Sequence, residues 1–320
     1  MFWMDILRGA AILAVISFHS VTIVEQYDFE APKLWRNLNE TLKLFRMPIL
    51  IFLSGMLLPR SLSKSSLNYF SGKVRSILWP FILWSTIYAV VKGIDLTSLS
   101  QLRGLYMGGS YLWFLAFIFV YYLVAKPLER VDPFLVSIIA FVLALIAPDG
   151  DKYSERILFL MSLFFLGSAV SYHLVYIKKI LDSSLVWWLT PFVAVSAFVT
   201  VRDDLNFGPF WVLVSLFGFL FFAAISQRLE SSAISRPLIW IGQRSIVFYV
   251  SHAIFIIVIC KISERAGFTS YAFVAAASAM ISLSGGWVLA KGMERWAAFR
   301  YLFTFPVLNF SDFSGYPGRK

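Results

Sequence analysis

Apolar stretches about as long as a membrane-spanning helix recur along the 320 residues and constrain the fold more than any other feature. A helix needs about 20 mostly apolar residues to cross a bilayer, with a range of about 17 to 25. A closed barrel would need alternating apolar and polar residues, and runs such as LVSIIAFVLALIA lack that alternation. The pattern predicts an all-α, polytopic membrane helix bundle of about ten transmembrane helices, near residues 5–24, 43–59, 74–92, 110–126, 133–148, 156–175, 185–201, 208–226, 243–262 and 271–290.

The charge of the chain supports a membrane protein and predicts its orientation. Only 14% of the residues are charged, against about 25% in an average soluble domain. With ten spans and a cytoplasmic N-terminus, the inner loops hold 17 of the 28 basic residues and 7 of the 18 acidic residues, so the net charge of +10 lies on that face. This matches the positive-inside rule and predicts that both termini are cytoplasmic. It also explains the basic balance without a nucleic-acid partner.

Two units are predicted along the chain. Residues 1–300 form a transmembrane domain, and residues 301–320 form a cytoplasmic C-terminal tail.

The first predicted helix carries ionisable residues that a lipid environment disfavours. Arg8 and His19 are eleven residues apart, so at about 100° per residue they lie on one helix face, separated by about 16 Å along the axis. Asp5 lies one turn before Arg8 and can pair with it. An anchor at the membrane surface explains Arg8 alone, and a hydrogen bond between helices explains His19 alone. Ionisable groups inside a membrane face the protein interior and mark function by default, and one face that holds both favours a functional site.

The motifs of this chain resemble those of acyltransferase family 3, the integral membrane O-acyltransferases. The family is marked by an arginine and a histidine separated by ten residues on the first helix, as Arg8 and His19 are here. Five further stretches are similar to family motifs in the same order, from Asp5 to about Arg300: FRMPILIFLSGML, VRSILWPFILWS, YLWFLAFIFVYYL, FFLGSAVSYH and IGQRSIVFYVSH.

The resemblance implies an enzyme, and the short chain looks like the sugar O-acetyltransferases of the family. Such an enzyme moves an acetyl or other acyl group from cytoplasmic acetyl-CoA to a hydroxyl of a cell-surface glycan or glycolipid. It works in the cytoplasmic (inner) membrane of a bacterium, in contact with membrane lipid. Imidazole suits the general base, so His19 is the predicted base, with Arg8 as its catalytic partner. Basic side chains suit the phosphates of CoA, so the predicted donor contacts are Arg8, Lys73 and Arg75.

Four residues are candidates for the acceptor, each with an open alternative. Arg46 can contact a sugar phosphate or anchor the helix at the surface, and it stands where many members have histidine. Trp113 can stack on a sugar or belong to an interfacial aromatic belt. Tyr249 and His252 share one helix with Ser245, and His252 can bind the acceptor, orient His19 or pack between helices.

The predicted donor contacts Lys73 and Arg75 also have an alternative. They replace a commoner arginine pattern, and they also fit an ordinary cytoplasmic loop.

Other chemistries find no motif in the sequence. Three histidines on three different predicted helices and one cysteine predict no metal site. Phosphate-binding glycine loops and a Gly-x-Ser-x-Gly nucleophile motif are also missing from the sequence. The alternative function is a secondary transporter or exporter of a sugar or polysaccharide precursor, although no inverted repeat of the kind found in carriers is visible. The sequence leaves the oligomeric state open.

Overall fold

The computed structural model describes residues 1–148 and 152–306, and every regular element in these ranges is helical. Most of the predicted tail, residues 307–320, lies outside the described residues. The α-helices are α1 (Phe2–Thr22), α2 (Lys33–Glu40), α3 (Lys43–Met56), α4 (Leu58–Leu62), α5 (Ser66–Lys73), α6 (Trp79–Lys92), α7 (Leu99–Gly104), α8 (Trp113–Ala125), α9 (Pro133–Leu145), α10 (Lys152–Ser171), α11 (Leu174–Asp182), α12 (Leu189–Asp203), α13 (Val212–Arg228), α14 (Ser235–Gln243), α15 (Ser245–Arg265), α16 (Tyr271–Arg295) and α17 (Ala297–Tyr301).

Seven helical stretches of the described residues are long and apolar enough to cross a membrane: Phe2–Tyr27, Ser66–Lys92, Tyr153–Ser171, Ser184–Asp203, Pro209–Ser231, Ser245–Arg265 and Tyr271–Arg295. The other three predicted spans fall on α3, α8 and α9, which have 13 or 14 residues. At 1.5 Å per residue such helices are only about 20 Å long, short of the roughly 30 Å of bilayer hydrocarbon. The all-helical membrane architecture is therefore confirmed, whereas the count of ten and the orientation remain predictions.

The first helix is surrounded by other helices, and two glycines let one of them, α14, approach it closely. α1 packs against α3, α13, α14, α15 and α16. A Cβ on Gly9 of α1 would lie 2.2 Å from the carbonyl oxygen of Leu238, and one on Gly242 of α14 would lie 1.9 Å from that of Asp5. Small residues allow such backbone contact between membrane helices. This packing removes α1 from lipid along the face of α14.

Close backbone packing at glycines also joins α3 to α10. A Cβ on Gly55 would lie 1.9 Å from the carbonyl oxygen of Phe164, and one on Gly167 would lie 2.3 Å from that of Phe52. Gly55 and Gly167 belong to two of the sequence motifs described above. Their role in this chain is close helix packing.

A proline within α3 leaves a backbone carbonyl that another helix satisfies. Pro48 has no N–H, so the carbonyl of Leu44 one turn earlier lacks its helical donor. The hydroxyl of Ser215 on α13 donates to this carbonyl at 3.2 Å. Ser215 thus links α13 to α3 at the point where the helix loses its own bond.

Replacing Ser215 with alanine is expected to lower the free energy of unfolding by about 0.5–2 kcal/mol, because the buried carbonyl loses a donor. Thermal unfolding of the purified protein in detergent measures this change. The control is Ser284→Ala, because Ser284 is exposed and bonds only to its own helix. Equal melting temperatures for the two variants would contradict the assignment.

A widened turn separates α5 from α6 within one long helical stretch. Residues Val74–Leu78 form a π-helical turn in which the N–H of Trp79 bonds to the carbonyl of Val74. Pro80 follows and cannot supply the N–H that an α-helix would direct to Ser76, which accounts for the irregular turn. The turn lies directly after Lys73 and contains Arg75.

Candidate active site

Two histidines from distant parts of the chain meet inside the helix bundle. His19 of α1 and His252 of α15 have ring centroids 5.0 Å apart, with the ring planes tilted by 35°. His252 is 0% exposed, whereas His19 is partly exposed. A partly exposed histidine residue therefore lies against a fully buried one.

The hydrogen bonds of His252 determine which nitrogen carries its proton. Nδ1 lies 2.7 Å from the carbonyl oxygen of Tyr249 and 3.2 Å from that of Phe248. Both partners are acceptors, so we assign the hydrogen to Nδ1. Nε2 is then a lone-pair acceptor, and it is buried without a hydrogen-bond partner among the described residues.

Two tyrosines pack against His252 and donate hydrogen bonds to backbone carbonyls. The ring of Tyr111 lies 5.3 Å from that of His252 and nearly perpendicular to it, and the ring of Tyr249 lies 5.9 Å away. The Tyr249 hydroxyl donates to the carbonyl of Tyr111 at 2.7 Å, and the Tyr111 hydroxyl donates to the carbonyl of Val250. These bonds tie α15 to the segment before α8. The hydroxyl of Tyr249 is thus occupied by protein backbone.

Arg46 supplies a buried positive charge near the pair. It is 7% exposed, so it does not anchor α3 at a surface. Its guanidinium lies 3.6 Å from the ring centroid of Phe18 and donates to the carbonyl of Asn39 at 3.2 Å. Among the described residues, no carboxylate forms an ion pair with it. The same Phe18 ring lies 5.1 Å from that of His19, so Arg46 and His19 pack against one aromatic side chain.

Arg8 borders a cavity of about 110 Å³. The cavity is lined by Arg8 and Ser54 together with Tyr249, which is one turn before His252. Arg8 pairs with Asp5 at 3.3 Å, which confirms the predicted contact. Its side chain is 16% exposed. The arginine therefore faces an internal space at a distance of about 16 Å along α1 from His19.

Lys73 and Arg75 line a second cavity of about 280 Å³ together with Ser61 and Tyr69. The Lys73 ammonium donates to the Ser61 hydroxyl at 2.9 Å and lies 3.5 Å from the ring centroid of Tyr122. The Tyr122 hydroxyl donates to the carbonyl of Ser54, which lines the Arg8 cavity, at 3.3 Å. Tyr122 therefore contacts a lining residue of each cavity and lies between them.

Trp113 lies apart from the other predicted residues. Its ring is stacked at 6.2 Å on Phe207, and the guanidinium of Arg156 lies 5.6 Å from its centroid. The structure thus groups the other predicted residues in three places: the histidine pair with Arg46, the Arg8 cavity, and the Lys73 cavity. Tyr249 belongs to the first two.

Sequence reasoning missed two aromatic residues that shape these places. Phe18 lies between His19 and Arg46, and Tyr122 lies between the two cavities. An aromatic residue within an apolar helix is ordinary, so neither had a distinguishing signal. For metals, the described ranges contain no cluster of three histidine, cysteine, aspartate or glutamate side chains.

Comparison with known proteins assigns the chain to a family. A family model described as an acyltransferase domain matches residues 1–291. This range includes both histidines and every residue that lines the two cavities except Thr304. No curated protein and no solved structure matches the chain. The match covers most of the chain and agrees with the helical membrane architecture. The chain therefore belongs to acyltransferase family 3 and is a multi-pass membrane acyltransferase.

Proposed function

We propose that this protein transfers an acetyl group from acetyl-CoA to a hydroxyl of a cell-surface glycan or glycolipid sugar. The observation that carries the proposal is the histidine pair, in which a partly exposed His19 adjoins an enclosed His252 whose Nε2 has no partner among the described residues. Imidazole is the side chain best suited to move a proton near neutral pH. The pair lies in the interior of an acyltransferase, where a reaction between two substrates can exclude water.

In the proposed reaction, His19 is the general base. Its neutral ring nitrogen takes the proton of the acceptor hydroxyl while the oxygen attacks the thioester carbonyl carbon. A carbon–oxygen bond forms, the carbon–sulfur bond then breaks, and the departing CoA sulfur receives the proton from the His19 imidazolium. His252 remains neutral, and its free Nε2 is suited to accept a hydrogen bond from His19 and orient that ring.

The donor is proposed to enter from the cavity of Lys73 and Arg75. Ammonium and guanidinium groups bind phosphate oxygens through charge-assisted hydrogen bonds, and this cavity is lined by Lys64, Lys73 and Arg75. The pantetheine arm would then pass Tyr122 into the Arg8 cavity, where the guanidinium can donate to its amide carbonyls. Tyr249 borders this cavity and contacts His252, so the thioester would arrive beside the pair.

The acceptor is proposed to approach the histidines from the side of Arg46. This buried guanidinium has no ion-pair partner among the described residues and is suited to an anionic or polar group of a sugar. Trp113 is the more distant acceptor contact. The proposed location is the cytoplasmic membrane of a bacterium with both termini in the cytoplasm, which the distribution of basic residues supports. Lys73 and Arg75 then meet cytoplasmic acetyl-CoA, and the glycan comes from the outer side.

Titration with CoA tests the proposed donor. The purified protein in detergent is expected to bind CoA saturably in calorimetry, which a sugar carrier would not do. Lys73→Gln is expected to weaken this binding about ten-fold, because a charged hydrogen bond to phosphate is lost. Lys33→Gln is the control, because Lys33 is exposed at the start of α2. If the unaltered protein does not bind CoA, the proposed donor is wrong.

A further inference from the structure

Residues 296–306, here called the return segment, leave the end of α16 and lie along the π-helical turn and α6. Two tryptophans of α6 donate their indole N–H groups to its backbone. Trp79 donates to the carbonyl of Tyr301 at 2.7 Å, and Trp84 donates to the carbonyl of Leu302 at 2.9 Å. The segment is thus docked by polar contacts, and it follows the residues that the family model matches.

Aromatic packing also holds the return segment in place. Phe303 is 2% exposed, and its ring is stacked on that of Trp84 with a centroid separation of 5.6 Å. The ring of Phe305 lies 4.8 Å from that of Trp79. Each tryptophan therefore contributes both a hydrogen bond and a ring contact, which makes the position of the segment well defined.

The segment reaches Arg75 and occupies one side of its guanidinium. Arg75 Nε donates to the carbonyl of Phe305 at 2.8 Å, and the N–H of Phe305 donates to the carbonyl of Arg75 at 3.1 Å. The two terminal nitrogens of Arg75 make no hydrogen bond to any described residue. An arginine held through Nε presents its two terminal NH₂ groups as a pair, an arrangement that can donate to two oxygens of a phosphate.

Thr304 brings the return segment into the wall of the Lys73 cavity. It lines the same space of about 280 Å³ as Lys64, Lys73 and Arg75. None of the residues that line this cavity is acidic. The exposed Thr304 side chain therefore faces a basic space in which an anion is the complementary occupant.

We infer that the return segment completes the site for the CoA phosphates, with Thr304 as part of its wall and the Phe305 backbone as the group that positions Arg75. This inference rests on the proposed function, because it assigns the anion in the cavity to CoA. It makes residues outside the matched family domain part of donor binding.

Substitution of Thr304 tests the wall directly. Thr304→Glu places a carboxylate in the cavity and is expected to weaken CoA binding about ten-fold or more, because it competes with phosphate for the cations. Thr304→Gln is the matched neutral variant and is expected to bind as the unaltered protein does. Both side chains start from an exposed position, so neither should disturb folding. Calorimetric titration with CoA measures the dissociation constants, and equal values for the two variants would overturn the inference.

A second pair of variants tests the positioning of Arg75. Phe303→Ala removes the ring that docks the segment and is expected to weaken CoA binding about ten-fold, since Arg75 loses its orienting carbonyl. Phe210→Ala is the control, because Phe210 is 83% exposed. Unchanged or tighter binding in Phe303→Ala would show that the segment does not build the site. Absence of CoA binding by the unaltered protein would instead overturn the proposed donor, and the inference with it.

Discussion

Replacing His19 with alanine is expected to lower the rate of acyl transfer by a factor of about 10² to 10⁴, the usual contribution of a general base. The variant loses the partly exposed imidazole that adjoins His252, and no other imidazole can take its place. His252 is fully buried, so its Nε2, which has no partner among the described residues, is shielded from the acceptor hydroxyl. The proton of the acceptor hydroxyl then has no suitable base. Mass spectrometry of surface glycans from cells that carry each variant measures the transferred acetyl groups.

The control for this experiment is His173→Ala. His173 is exposed, precedes α11 and lies next to Tyr176, so its loss should leave transfer unchanged. Size-exclusion profiles and CoA titration should be the same for the two variants, since His19 lies away from the Lys73 cavity. Full acetylation by a folded His19→Ala protein would remove His19 from the mechanism and leave the family assignment intact.

Replacing Gly242 with alanine is expected to destabilise the protein by about 3 kcal/mol or more, because the new methyl group has no room. Its Cβ would lie 1.9 Å from the carbonyl oxygen of Asp5 on α1, and that atom belongs to a helix backbone. A clashing side chain could rotate away, but a helix backbone cannot, so α1 and α14 would have to move apart. The opposite side of the same contact is Gly9 against Leu238, so the whole interface would open. Thermal unfolding in detergent measures the loss.

The matched control is Gly104→Ala on α7. A Cβ at Gly104 meets nothing within 4 Å, so the same change should be neutral or slightly stabilising there, by up to about 1 kcal/mol. The comparison separates the cost of steric conflict from the general effect of a glycine replacement. If the Gly242→Ala and Gly104→Ala proteins had the same melting temperature, this would contradict the close packing of α1 and α14.

The sequence alone determined the all-helical membrane class and the family, and it supplied the residues of the candidate site. Each of the ten predicted spans falls on a helix, because an apolar run must satisfy its backbone internally in lipid. The pair of Asp5 and Arg8 was also predictable, since residues three apart lie on one face of a single helix. Local periodicity is sufficient for such contacts, which depend on one element only.

Only the tertiary structure decided which helices meet. The contact of His19 with His252, the burial of Arg46 and the separate position of Trp113 depend on how helices pack. Helices that are apolar on nearly every side do not reveal which face contacts protein and which contacts lipid. The docking of Phe303 on Trp84 is likewise a contact between distant parts of the chain, and no repeating sequence pattern predicts such a contact. The sequence thus specified the helices and the ionisable residues they carry, and the packing of α1 against α3 and α15 decided which of those residues meet.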